Sequence, residues 1–411
     1  MFDAIARGTR RFDPKSSSFS KFELFLCSSL LFVAPFEAYL VSLVGGIVKY
    51  VLLFAILYVL YKDCYHSRKL YFNWYIVAFL AWFVIKTTSI LWTSNLAIPK
   101  LHLASQIGMV GFFFALNSIE IDQRSRDKIL LSMYAGSLLF CGLSLFLMKP
   151  YALYTQRFVL TIMGVQMDPN NAGAIALPSF ALSMYWMVQK RGVIKRLFYA
   201  SSLLMSSYVI LMTGSRGSML GMAAIVLLLV LTSRDISLSK KALMVAVLFL
   251  GLLAVLSITP IDTLNRLFGD YGDGSGRSEL WQSVWNAFLA HPLLGVGWGG
   301  VADIINMATH NTFLSMLAEQ GILGFLFFAF PIAFVFIVSI KNKSTITMLL
   351  LASALFPALT IDAINKRFLW YGITVAFMVF RGEVSSRDSS FSCKAGERRE
   401  AVSSQRPLGS V

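Results

Sequence analysis

Apolar runs of about 18 residues recur along the chain, separated by shorter polar intervals. Nothing else in the sequence narrows the possible folds as much. Hydrocarbon offers no partner to a backbone amide or carbonyl, so runs of this length are read as transmembrane helices. Twelve are expected, at about 22–43, 45–61, 74–91, 101–119, 129–147, 172–188, 197–212, 219–231, 242–258, 313–340, 345–359 and 368–380. Only 14% of residues are charged, against about 25% for a soluble domain. The bilayer takes the place of a soluble core. The expectation is an all-α integral membrane protein of about 12 transmembrane helices, with one long polar loop containing short amphipathic helices.

The charges carry topology. About 26 of the 36 Lys and Arg fall in the termini and in every second loop, and about 8 in the others. By the positive-inside rule the basic loops are cytoplasmic, as are both termini. Residues 1–21 then form a cytoplasmic N-terminal segment, 22–380 the polytopic membrane domain, and 381–411 a disordered cytoplasmic tail. The interval around Asp168, the turn at Arg216, the loop 259–312 and the turn at Lys366 face outward. The net charge of +15 does not imply nucleic-acid binding, because no basic stretch is interleaved with aromatics in a soluble module. The first apolar run lacks a small-residue cleavage site and is read as a retained helix.

The four cysteines, Cys27, Cys64, Cys141 and Cys393, have neither CxxC nor metal-ligand spacing. No metal or cofactor is expected.

The polar chemistry gathers on the outward side. Arg216 stands in Thr213-Gly-Ser-Arg-Gly-Ser218, between two predicted helices. A planar guanidinium suits a pair of phosphate oxygens, and the flanking glycines with Ser215 would let backbone amides approach the same anion. A snorkelling interfacial arginine explains it equally well. Arg277 follows Gly274-Ser-Gly276 and precedes a segment in which Trp281, Val284, Trp285 and Phe288 recur at helical spacing. That arginine could bind an anion or only solubilise an interfacial helix. His310, where the loop meets the next apolar run, could accept a proton near neutral pH, with Asn311 orienting it or a substrate hydroxyl. A helix-capping histidine is the plainer alternative. Asp168-Pro-Asn170-Asn171 is turn and capping chemistry, with Asp168 and Asn170 as further candidates for binding sugar.

Taken together these motifs resemble the O-antigen ligase and O-antigen or exopolysaccharide polymerase family of bacterial envelope proteins. The resemblance rests on Asp168-Pro-Asn170, Gly214-Ser-Arg-Gly217, Gly276-Arg277 with Trp281, His291-Pro-Leu-Leu-Gly-Val-Gly297, His310-Asn-Thr-Phe-Leu314 and Glu319-Gln-Gly321-Ile-Leu-Gly324. It implies a metal-independent, inverting glycosyltransferase of the bacterial inner membrane, with a periplasmic catalytic loop at 259–312. The donor would be a glycan on undecaprenyl diphosphate, and the acceptor another glycan or lipid A-core. Other polysaccharide-assembly proteins are implied partners; nucleic acid is not. Arg216 and Arg277 match the diphosphate-holding arginines of the family, and His310 its base. The loop is compact for a ligase, which favours a polymerase; a ligase is the alternative. A precursor transporter or flippase is the competing class outside enzymes. It predicts internal repeats and ionisable groups near the bilayer midplane, neither of which the sequence displays.

Overall fold

The computed structural model describes residues 20–45, 53–59, 73–119, 121–189, 192–233, 259–268 and 277–384, with residues 50, 61, 246, 250, 253, 256 and 257. Most of the expected N-terminal segment 1–21, most of the expected span at 242–258, part of the one at 45–61 and the tail beyond 384 lie outside the described residues. Helices hold 79% of what is described. Four are long and apolar enough to cross a membrane, at Lys21–Val44, Trp74–Leu91, Gln123–Leu147 and Thr312–Asn342.

The first expected span is two helices. α1 (Lys21–Val33) opens with a capping box between Ser20 and Glu23. Pro35 then forces a single 3₁₀ turn before α2 (Glu37–Val44), because its ring cannot continue the α-helical ladder. α3 (Trp74–Thr88) and α4 (Ala97–Asn117) follow, and Asp122 caps α5 (Gln123–Leu147) through the Ser125 amide.

A small antiparallel meander, unexpected from the apolar runs, comes next: β1 (Met148–Tyr151), β2 (Tyr154–Ile162) and β3 (Val165–Gln166). The Tyr39 hydroxyl donates to the Leu160 carbonyl at 2.7 Å and pins α2 to β2.

α6 (Pro169–Gln189), α7 (Val193–Met212) and α8 (Arg216–Thr232) are complete helices close to their expected ends. Among its described residues the long loop holds three short helices, α9 (Ile261–Phe268), α10 (Arg277–Ala290) and α11 (Gly300–Ile305). α12 (Thr312–Asn342), α13 (Thr345–Ala358) and α14 (367–384) complete the bundle. α6 packs on α5, α7, α8 and α13, while α3 packs on α12 and α1 on α5. Between α3, α4, α12 and α14 sits an aromatic core of Phe79, Trp82, Phe113, Phe328, Trp370 and Phe377, with ring centroids 4.6–6.0 Å apart in edge or tilted contacts.

α12 is broken at Gly321, whose φ is 64°. Into the break fits the loop segment 292–297. The Ile322 amide donates to Pro292, and the Val296 and Gly297 amides donate to Ala318 and Glu319, at 2.8–2.9 Å. A Cβ at Gly321 would collide with the Leu293 carbonyl. The His291–Gly297 motif thus docks the loop onto a kinked helix, satisfying carbonyls that the kink frees.

Candidate active site

The site is built around the turn at 359–366, between α13 and α14. Two separate elements rest on it. α8 approaches so closely that a Cβ at Gly217 would collide with Thr360 Oγ1. Ser215 is the N-cap of α8, its Oγ accepting from the Ser218 amide, so this hydroxyl is committed to the helix start. Arg216, the first residue of α8, is exposed there. Its guanidinium and the positive end of the helix dipole share one surface.

The second element is the segment entering α12. Thr312 Oγ1 donates to the Ile361 carbonyl and accepts from the Ala363 amide, both at 2.7 Å. The Thr309 amide donates to Asp362 Oδ2 at 3.3 Å, and its carbonyl accepts from Trp281 Nε1 at 3.0 Å. Between these anchors His310 adopts φ 53°, a left-handed conformation that costs a non-glycine residue about 1 kcal/mol or more. Burial pushes the Asp362 carboxyl above the ordinary aspartate range, against the pull of the Thr309 amide, Lys86 and Lys366. Asn311 is the N-cap of α12, accepting from the amides of Phe313 and Leu314.

Arg277 opens α10, and its side chain lies outside the described residues. One turn later Trp281 reaches Thr309, so the start of α10 and His310 share a neighbourhood. The expected stripe on this helix is different in detail. Leu280, Val284, Ala287 and Phe288 pack with Val301, Leu314 and Ala318, whereas Trp285 is 41% exposed.

Arg157, on β2, is a site residue that the motifs did not reveal. Only 3% exposed, it donates from Nε to the Thr213 carbonyl at 2.6 Å and from Nη2 to Asn170 Oδ1 at 2.7 Å. Asp168 Oδ1 accepts from the amides of Asn170 and Asn171 at 2.9 and 3.3 Å. Asp168 therefore shapes the start of α6, and Asn170 links that start, through Arg157, to the turn before Arg216. The available signal was the Tyr154–Ile162 run, rich in aromatic and β-branched residues, ending at Met163-Gly164.

Beside the turn 359–366 lies a cavity of about 280 Å³. Leu31, Pro35, Met133, Ile175 and Phe368 give it an apolar wall, and Glu37, His102, Asn171, Asn365, Lys366 and Arg367 a polar one. Arg367 pairs with Glu37 at 2.6 Å. Neither Arg216 nor His310 lines this space. Among the described residues no group of three His, Cys, Asp or Glu is placed to hold a metal ion.

Residues 200–329, from α7 into α12, match the family model described as O-antigen ligase. This segment is similar to the O-antigen ligase family domain. The domain spans Arg216, Arg277 and His310, and supports a function of the O-antigen ligase or polymerase type, in a membrane, acting on glycan donor and acceptor. Arg157, Asp168, Asn170 and the turn 359–366 lie outside the matched segment, although they hold its parts in place. No curated protein matches the chain.

Proposed function

We propose that the chain is a polysaccharide polymerase of the bacterial inner membrane, transferring glycan from undecaprenyl diphosphate to a second lipid-linked glycan on the periplasmic face. The observation that carries the reading is the shared anchorage of two motifs. Gly217, next to Arg216, rests on Thr360, and Thr309 and Thr312, on either side of His310, rest on Ile361–Ala363. A phosphate-type cation and a proton acceptor are thereby held by four consecutive residues of one turn.

In this reading His310 removes the proton from an acceptor hydroxyl as its oxygen attacks the anomeric carbon. The bond from that carbon to the phosphate oxygen breaks on the opposite face, and the centre inverts. The departing diphosphate gains charge, which Arg216, Arg277 and the N-terminus of α8 stabilise where water is partly excluded. No acid is needed for such a leaving group. The apolar wall of the cavity suits a stretch of prenyl chain, with Lys366 at its polar end. Twelve spans with both termini cytoplasmic set these groups outward. Transfer to lipid A-core, as a ligase would perform, uses the same donor machinery.

The transporter alternative draws on buried ionisable groups, and Lys86 and Glu319 are such groups. Both sit at helix ends on the side of the turn 359–366, Lys86 in the last turn of α3 and Glu319 two turns into α12. That distribution favours chemistry at one face over passage through the midplane.

The deciding experiment is a gel of surface polysaccharide from a deletion strain, complemented with wild type or His310→Ala. A polymerase leaves single repeat units on lipid A when it is lost. A ligase leaves no glycan there and full-length polymer on the carrier. A wild-type pattern from His310→Ala at normal expression removes the proposed base.

A further inference from the structure

Lys86 is 0% exposed. An ammonium inside a membrane span is expensive and calls for a task. Its Nζ donates to Gln106 Oε1 at 2.9 Å and to Asn365 Oδ1 at 3.2 Å, and it lies 4.2 Å from the centre of the Trp298 ring. Gln106, Asn365 and Trp298 are neutral. The acidic groups whose charge acts on it are Glu319 and Asp362. Glu319 is 7% exposed.

These contacts converge on the turn at 359–366. Lys86 grips it from inside, at Asn365. Three residues earlier Asp362 accepts the Thr309 amide, and Thr312 is stitched to Ile361 and Ala363. His310 lies between Thr309 and Thr312, in a backbone conformation that persists only when its surroundings impose it. The imposing contacts include those to the turn, which Lys86 holds from inside at Asn365 alongside Trp370, whose Nε1 donates to the Ile364 carbonyl at 2.8 Å.

We infer that Lys86 is a positioning residue for His310. Through Asn365 and Asp362 it fixes the turn that holds Thr309 and Thr312, and so sets where the imidazole points. The inference rests on the reading of His310 as the base. Lys86 touches no reacting atom in this scheme; it acts through the turn.

The test uses the full chain in lipid nanodiscs, with the lipid-linked repeat unit extracted from the same organism as substrate and glycan transfer as readout. Lys86→Met is expected to lower kcat tenfold or more, with KM for the lipid-linked substrate within twofold of wild type. Lys86→Arg, which keeps a charge and donors, is expected to recover part of that loss. Asp362→Asn is expected to lower kcat comparably, and the Lys86→Met/Asp362→Asn pair to be no worse than the poorer single variant, because both act through one turn. Asn365→Ala strands no charge and keeps the test alive if Lys86→Met fails to fold; its expected kcat loss is three- to tenfold. The inference is overturned if folded Asn365→Ala and Asp362→Asn turn over at the wild-type rate, if the losses fall on KM alone, or if they multiply in the double variant. His310→Ala is run alongside. Wild-type turnover in that variant overturns the base itself, and the positioning role with it. An inactive His310→Ala beside a fully active Asn365→Ala overturns the positioning role alone.

Discussion

Arg157 donates its Nε–H to the carbonyl of Thr213 at 2.6 Å, joining the β meander to the turn that presents Arg216. The same guanidinium reaches Asn170. Removing it leaves the buried Thr213 carbonyl and the half-buried Asn170 amide oxygen without their charged donor, and the buried acceptor alone costs about 1–3 kcal/mol when left unsatisfied. Arg157→Met should therefore lower the thermal midpoint in detergent by several degrees and cut glycan transfer tenfold or more. Arg157→Lys cannot reach both acceptors with a planar fork and should recover little of either. Differential scanning fluorimetry with a transfer assay checks both.

The approach of Gly217 to Thr360 leaves no room for a side chain. Gly217→Ala should push α8 off the turn and reduce transfer by at least tenfold, although alanine is the better helix former. Shortening the facing residue gives a sharper check. Thr360→Ala removes the nearest atom that an added Cβ would strike and leaves only the Thr360 Cβ, 2.9 Å away, so the Gly217→Ala/Thr360→Ala pair should recover part of the lost activity. A double variant no better than Gly217→Ala would mean that the contact is incidental.

Asp362 gives a pH prediction. Its carboxyl is raised above the ordinary range by burial, so the folded protein holds the proton more tightly than the unfolded chain. Stability from this group is fullest below the ordinary aspartate value, about 4, and is lost as pH rises through the raised value. Asp362→Asn should flatten that part of the stability curve while reducing turnover. Thermal midpoints measured from acid to neutral pH for both forms show whether the slope belongs to Asp362.

Much of the helical frame was legible, because apolar runs and their boundaries are local properties. The runs at 172–188, 197–212 and 219–231 became Pro169–Gln189, Val193–Met212 and Arg216–Thr232. The helix ends differ where capping decides them, as at Asp122, which starts α5 six residues early. Three things were not legible. Arg157 acts across 56 residues on Thr213, and periodicity carries no information at that separation. Lys86 looked like a charge near a helix end; its burial depends on Gln106, Trp298 and Asn365, which arrive from three other parts of the chain. The importance of 359–366 follows from what rests on it, since only Asp362, Lys366 and Arg367 mark it by charge. The Asp168, Ser215 and Asn311 motifs were visible, yet each has a structural task as a turn or cap residue.

Trp281 offers the most selective perturbation of the segment that carries His310. Its indole Nε1–H holds the Thr309 carbonyl at 3.0 Å, one residue before His310, and so ties α10 to that segment. Trp281→Phe keeps an aromatic side chain and removes the donor. A single neutral hydrogen bond contributes about 1 kcal/mol net, so the fold should survive with a small drop in thermal midpoint. The larger effect should be on rate. With one of its anchors gone, Thr309 is held by Asp362 alone, and the strained His310 backbone can relax away from its working position. Transfer should fall three- to tenfold in kcat, with KM for the lipid-linked substrate little changed. Trp281→His, which retains a ring N–H donor, should lie between the two. If Trp281→Phe lowers the midpoint as far as a core truncation does and leaves kcat intact in the folded fraction, Trp281 serves only to pack α10, and the loop reaches His310 by another route.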